Sequence, residues 1–216
     1  MFFPYKDDNP RVLFPYITYA LITINILIFL TSTYVSFLTS NTNWFYKFGF
    51  IPNSFNLFTI LSSMFIHGGF GHILSNMWFL YIFGDNVESI LGHIKFLLFY
   101  ILCGFGAAFA QYIIDPSSSI PMVGASGAIA GVLGAYMISF PKAKVHVFAF
   151  IIIFITTLII PAQIVLGLWF FIQLSSGLNS LGIDTNGGVA WFAHVGGFIA
   201  GVGSIKYIQN YKMEND

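Results

Sequence analysis

The chain has 216 residues and no formal net charge; 57% of its residues are hydrophobic and only 7% are charged. A soluble domain carries about 25% charged residues, so this chain could not cover a water-facing surface. Composition excludes a disordered protein, a coiled coil and an ordinary soluble enzyme, and leaves a polytopic protein in the lipid bilayer. Eight basic and eight acidic residues give no electrostatic basis for binding nucleic acid. The single cysteine, Cys103, excludes an intrachain disulfide.

Apolar runs long enough to cross a bilayer follow one another along the chain. A helix needs about 20 apolar residues to span a hydrocarbon core of about 30 Å. The runs cover about 12–38, 70–91, 96–114, 122–140, 145–176 and 189–207. The fifth run is too long for one upright span, and Pro161 divides it. We therefore predict that 145–160 is an interfacial or tilted approach and that 161–176 is the span proper, which gives six spans.

The distribution of basic residues orients these spans, because cytoplasmic loops carry an excess of Lys and Arg. Seven of the eight Lys and Arg residues fall on one side, in the tails, in the loops or at the end of the last run, and only Lys47 falls on the other. We therefore predict a cytoplasmic N-terminal tail at 1–11, one six-span membrane domain at 12–207 and a cytoplasmic C-terminal tail at 208–216. The predicted fold class is an all-α polytopic membrane protein.

Polar side chains inside spans are costly and indicate function by default. His72 and Asn76 are four residues apart, so they share one helix face at the external end of span 2. Ser126 opens span 4 within a Gly-Ala-Ser-Gly motif, and His194 lies near the external end of span 6. Each alone has an ordinary structural explanation, either a hydrogen bond between helices or the packing of small residues.

Two Gly-x-x-x-Gly pairs connect these signals. The pairs are Gly127 with Gly131 in span 4, and Gly197 with Gly201 in span 6. Small residues at this spacing let helix backbones touch, so we expect spans 4 and 6 to meet with their external ends together. This contact predicts that Ser126 and His194 lie within hydrogen-bond reach, as a base-activated serine nucleophile requires.

The predicted chemistry is attack of Ser126 on a peptide carbonyl, with His194 as the base. No carboxylate falls near these helix ends to orient the histidine, so we predict a dyad without a third member. The Ser126 backbone N–H, the Asn76 amide and the His72 ring are the expected donors to the oxyanion. Neither a cofactor nor a metal is required.

In order and spacing, these motifs resemble those of the rhomboid intramembrane serine proteases. The matching motifs are His-x-x-x-Asn at 72–76, Gly84-x-x-x-Glu88, Gly-x-Ser-Gly at 124–127 and Ala-His-x-x-Gly-x-x-x-Gly at 193–201. The resemblance implies a six-transmembrane-helix rhomboid-like bundle, a Ser126–His194 dyad, and oxyanion stabilisation by His72 and Asn76. It also implies that the substrates are single-span membrane proteins, cut in or near their transmembrane segment.

Two further segments qualify this resemblance. The basic segment at 140–144 is similar to a prokaryotic subgroup with a bare six-span core, which implies the cell (inner) membrane. Phe58-Thr59 stands where many rhomboids carry Trp-Arg, so we expect the first external loop to be held differently.

By analogy with the family, Trp169 and its neighbours on span 5 are expected at a lateral gate between spans 2 and 5.

Other functions remain open from the sequence. A catalytically inactive rhomboid-like protein that binds membrane helices would usually lack the serine or the histidine, and both are present. A metal enzyme could use His67, His72 and His194, but no His-Glu-x-x-His motif and no nearby acid accompany them. A haem-binding bundle rests on the same histidines, and a transporter would need a midspan charge or repeated broken helices. The sequence predicts neither the natural substrate nor the oligomeric state.

Overall fold

The structure, a computed structural model, is mainly helical. It describes residues 2–10, 12–39, 43–151, 154–181 and 189–213. Within these ranges there are eight α-helices, one short 3₁₀ turn and three β-strands. In chain order they are β1 (Phe2–Asp7), α1 (Tyr16–Thr39), α2 (Trp44–Phe48), the 3₁₀ turn (Pro52–Ser54), α3 (Leu57–Ser63), α4 (Phe70–Leu91), α5 (His93–Ile114), α6 (Ser126–Ser139), β2 (Lys144–Ile151), β3 (Phe154–Pro161), α7 (Ala162–Ser180) and α8 (Trp191–Met213).

Six of the described helices lie at the six apolar runs of the sequence. Helices α1, α5 and α7, with 24, 22 and 19 residues, are long and apolar enough to cross a membrane. Helix α6 is a shorter apolar helix of 14 residues, and α4 and α8 have 22 and 23 residues. The chain is therefore a largely helical membrane protein, while the crossing of the bilayer by all six helices stays a prediction.

The segment 144–161 departs from the predicted all-α fold. It forms an antiparallel hairpin of β2 and β3, and β1 pairs with β2 to give a sheet in the order β1-β2-β3. A tilted helix over 145–160 is therefore wrong, and so is an all-α description of the whole chain. The segment is rich in valine, isoleucine, threonine and phenylalanine, and such side chains favour strands. Because most of the run is apolar without a clear alternation, its periodicity does not distinguish it from a buried helix.

The sheet lies beside α4 and α6. Trp78 of α4 donates its indole N–H to the carbonyl of Pro4 at 2.8 Å, so β1 runs along α4. The hydroxyl of Tyr136, on α6, donates to Asp7 at 2.5 Å and holds the end of β1. Two alternate residues of β2 are buried in the main apolar core, Val145 and Val147. The segment 1–11, predicted as a tail, thus supplies a strand to the fold.

Helix α6 is the central helix of the bundle, and its residues 127–136 are all buried. Its contact with α8 is made backbone to backbone. A methyl group added at Gly197 would collide with the carbonyl of Gly127, and one added at Gly201 would collide with that of Gly131. Small residues permit this close approach. The N-terminal ends of α6 and α8 are thereby held side by side.

Glu88 ties the start of α1 to α4. Its buried carboxylate accepts hydrogen bonds from the N–H groups of Ile17 and Thr18 at 2.9 and 2.8 Å, and from the Thr18 hydroxyl at 2.7 Å. The first N–H groups of a helix have no partner within the helix, so the carboxylate serves as a cap for α1. His93 Nδ1 lies 2.6 Å from the same group. Glu88 therefore has a structural role at the end of α4 opposite to His72.

Candidate active site

Ser126 and His194 lie at the adjacent N-terminal ends of α6 and α8. Ser126 is the first residue of α6, and His194 lies in the first turn of α8. The Oγ atom of Ser126 is 2.7 Å from Nε2 of His194, which is a hydrogen-bond distance. The glycine contact between the two helices sets this distance, because it fixes the two helix ends against each other.

The turn that leads into α6 depends on Gly124. Its φ is +116°, a left-handed value that favours glycine. A Cβ atom at this position would also lie only 2.6 Å from Nε2 of His72. Glycine at 124 therefore allows a side chain of α4 to approach the backbone immediately before Ser126.

His72 and Asn76 share one side of α4, and both line the cavity that contains Ser126 and His194. Asn76 donates from Nδ2 to the His72 carbonyl at 3.0 Å. An amide has two N–H donors, so it can keep this bond and still donate to a ligand. His72 Nδ1 accepts a long hydrogen bond of 3.4 Å from the Gly68 N–H. In the neutral ring this places the proton on Nε2, which can donate into the cavity.

The cavity has a volume of about 1090 Å³. One part of its wall is the segment between α5 and α6, which contributes polar side chains from Asp115, Ser117, Ser118 and Ser119. Polar lining of this kind accommodates water. The cavity can therefore hold both a peptide segment and the water that hydrolysis consumes.

His194 also has a contact that the sequence did not predict, made by Nδ1, the ring nitrogen that does not face Ser126. The Oε1 atom of Gln173, on α7, is 2.7 Å from Nδ1 of His194. The Trp169 ring, one turn earlier on α7, has its centroid 6.0 Å from that of His194. The sequence feature that could have indicated this contact is a glutamine inside an apolar span, because a polar side chain in a span is also what identified Asn76. Trp169 thus packs beside the imidazole, and its expected place at a lateral gate stays a prediction.

The three histidines considered as metal ligands are divided between two environments. The rings of His67 and His72 have centroids 5.2 Å apart, and the Ala125 N–H lies 3.5 Å from Nε2 of His67. His194 instead bonds to Ser126 and Gln173. Among the residues that the structure describes, no three His, Cys, Asp or Glu side chains are placed to hold a metal ion together.

Comparison with known proteins gives the class of this membrane protein. The family model of the Rhomboid domain matches residues 54–210. The chain belongs to the rhomboid family, which confirms the resemblance seen in the motifs.

Individual relatives agree with this assignment. The chain is 30% identical over 192 residues to "Rhomboid protease GluP" of Bacillus subtilis, covering 87% of this chain and 34% of that protein. It is 32% identical over 142 residues to "RHOMBOID-like protein 4" of Arabidopsis thaliana, covering 66% and 32% of the two chains. It is 31% identical over 154 residues to "Rhomboid protein 1, mitochondrial" of Saccharomyces cerevisiae, covering 67% and 40%. The matches thus cover about a third to two fifths of each relative's length.

Proposed function

We propose that this protein is an intramembrane serine endopeptidase that uses a Ser126–His194 dyad. The observation that carries the proposal is the 2.7 Å contact between Ser126 Oγ and His194 Nε2 inside a large, partly polar cavity. A serine hydroxyl is a weak nucleophile until a base takes its proton. Membership of the rhomboid family and the similarity to a named protease support the same activity.

The proposed reaction begins when His194 Nε2 accepts the Ser126 proton and Oγ attacks a substrate carbonyl carbon. The carbonyl oxygen becomes an oxyanion, and the donors placed for it are the Ser126 N–H, the Asn76 amide and His72. One such donor contributes about 2.7–4 kcal/mol to lowering the barrier. His194 then gives the proton to the leaving amine nitrogen as the peptide bond breaks. Water, activated by the same histidine, hydrolyses the acyl-enzyme ester and restores Ser126.

The proposed substrates are single-span membrane proteins, cut in or near their transmembrane segment. Support comes from the apolar outward face of α7, the helix that contacts His194 through Gln173. Large exposed apolar side chains on α7 include Ile164, Leu168, Phe171, Ile172 and Leu178. A peptide bond inside a substrate helix must unwind before Ser126 can reach its carbonyl, so helix-weakening residues should favour cleavage.

We further propose that all six helices at the apolar runs cross the cell (inner) membrane and that both termini are cytoplasmic. The support is the charge distribution in the sequence, because loops on the proposed external side are almost free of Lys and Arg. In this orientation Ser126, His194, His72 and Asn76 lie toward the external side.

The decisive experiment is cleavage of a model single-span substrate in proteoliposomes. Wild type should cut it, Ser126→Ala should not, and EDTA should have no effect. The matched control is Ser32→Ala, because the Ser32 hydroxyl bonds to the Phe29 carbonyl within α1; it should cut like wild type. A fluorophosphonate reagent should label the wild type and not Ser126→Ala.

Cleavage that survives Ser126→Ala, or that EDTA abolishes, would contradict the dyad. Neither cleavage nor labelling by a folded wild type would contradict the protease proposal and favour a protein that binds membrane helices without cutting them.

A further inference from the structure

Gln173 is a polar side chain in an apolar stretch of α7. It is 7% exposed, and its neighbours in sequence are Phe171, Ile172 and Leu174. A buried amide without hydrogen bonds is costly, above all inside a membrane protein. The partner that the fold supplies is Nδ1 of His194, 2.7 Å from Gln173 Oε1.

This contact determines which nitrogen of His194 carries the proton. In the structure the Gln173 amide places Oε1, and not its NH₂ group, at the ring. An amide oxygen only accepts hydrogen bonds, so in this arrangement Nδ1 donates to it and holds the ring proton. In neutral imidazole the other nitrogen, Nε2, then has a free lone pair. That lone pair faces the Ser126 hydroxyl at 2.7 Å. The Gln173 contact thus selects the one neutral tautomer in which His194 can act as a base.

Two tryptophan rings also lie beside the imidazole. The Trp169 ring is tilted by 33° to it at a centroid distance of 6.0 Å, and the Trp191 ring meets it edge-on at 6.3 Å. Gln173 and Trp169 are four residues apart on α7, so they present one face to His194. This face of α7 limits both rotation and tilt of the ring.

We propose that Gln173 is a positioning residue for catalysis, which holds His194 in the tautomer and orientation that deprotonate Ser126. The proposal rests on the protease function above and deepens it, because the dyad then acts with an uncharged third member. An amide orients the imidazole as a carboxylate does in a triad. It lacks the negative charge that would also stabilise the imidazolium ion.

The test compares two variants. Gln173→Met has a side chain of similar length without the acceptor oxygen for His194 Nδ1, and Gln173→Glu keeps an acceptor oxygen and adds a negative charge. The matched control is Gln163→Met, because Gln163 is exposed and lies about 15 Å away along the same helix. The measurements are kcat and KM for the model substrate in proteoliposomes, and the pH profile of kcat.

For Gln173→Met we expect kcat to fall by about 10- to 100-fold with KM within about twofold, the pattern of a lost positioning effect. Above neutral pH, Gln173→Glu should have most of the kcat that Gln173→Met loses. The acid limb of its kcat–pH profile should move to higher pH, because a carboxylate favours the protonated imidazole. The other titratable groups that line this cavity with His194 are His72 on α4 and Asp115 after α5, and both are unchanged in these variants. Gln163→Met should match wild type.

The proposal is overturned if Gln173→Met keeps wild-type kcat, or if Gln173→Glu shows neither recovery nor a shifted acid limb. Should Gln173→Met fail to fold, the pH profile of Gln173→Glu decides alone: an unshifted limb overturns the proposal. Ser126→Ala separates the two ideas. Cleavage that persists in Ser126→Ala defeats the protease proposal, whereas full activity of Gln173→Met beside an inactive Ser126→Ala defeats only the role of Gln173.

Discussion

Two regions that meet at the candidate active site are packed in opposite ways. Helices α6 and α8 touch through glycines, with no room for an added methyl group at Gly197 or Gly201. On α7, by contrast, the buried residues are four of 19, namely Ala162, Leu166, Gln173 and Gly177. The proposed nucleophile and base therefore lie on the tightly packed pair, while the contact proposed to orient the base comes from a loosely packed helix. Tight packing holds Ser126 beside His194, and in our proposal Gln173 of α7 selects the tautomer of His194.

The largest expected effect comes from breaking the tight contact. Gly201→Ala places a methyl group against the Gly131 carbonyl, so α6 and α8 must separate, and overpacking of this kind costs about 1–3 kcal/mol or more. We expect a lower thermal midpoint in detergent and loss of most cleavage.

Two matched changes sharpen the comparison. Gly203→Ala on α8 and Gly167→Ala on α7 both add a methyl group where nothing lies within 4 Å. Both should leave stability and cleavage nearly unchanged. Equal damage from all three substitutions would contradict the difference between the two regions.

The second largest effect is expected for Asn76→Ala, which distinguishes a loss of catalysis from a loss of packing. Asn76→Ala removes a proposed donor to the oxyanion, so kcat should fall by about 10²–10³-fold, while the thermal midpoint changes little. Asn53→Ala, at an exposed position, is the control and should cut like wild type. A loss of stability as large as that of Gly201→Ala would show that Asn76 acts through packing instead.

The smallest expected effect is a pH dependence at the sheet. Burial, with a contribution from nearby Asp85, raises the pKa of Asp7 from its ordinary value of 3.8 to about 6, against the opposing hydrogen bond from Tyr136. The folded protein then binds a proton more tightly than the unfolded chain. The contribution of protonated Asp7 to the stability of the fold is full below about pH 3.8 and is lost as pH rises through about 6.

Asp7→Asn should therefore flatten the stability curve between about pH 4 and pH 7 relative to wild type. The measurement is the thermal midpoint of both proteins in detergent across that range. Asp8→Asn is the control, because Asp8 is exposed and bonds to His146, and it should not flatten the curve. If the thermal midpoints of wild type and Asp7→Asn changed with pH in parallel, a raised pKa of Asp7 in the folded protein would be excluded.

The difference between what the sequence predicted and what it missed has a physical basis. The long helices follow from apolar runs, and the Ser126–His194 approach follows from glycine spacing that is local to each helix. The hairpin over 144–161 was missed because an apolar run that excludes charge leaves helix and strand indistinguishable by periodicity. Gln173 was missed because its partner lies 21 residues away on another helix, and only the packing of α7 against α8 brings the two together.

The position of Gln173 has a consequence for how the bilayer would act on the protein. Helix α7 turns its large apolar side chains outward, including Leu168 and Phe171, and the same helix carries the amide that meets His194. A change in bilayer thickness or lateral pressure that tilts α7 would then alter the fraction of molecules with the reactive tautomer. The lipid surrounding the protein would set the speed of the chemistry without touching any reacting atom.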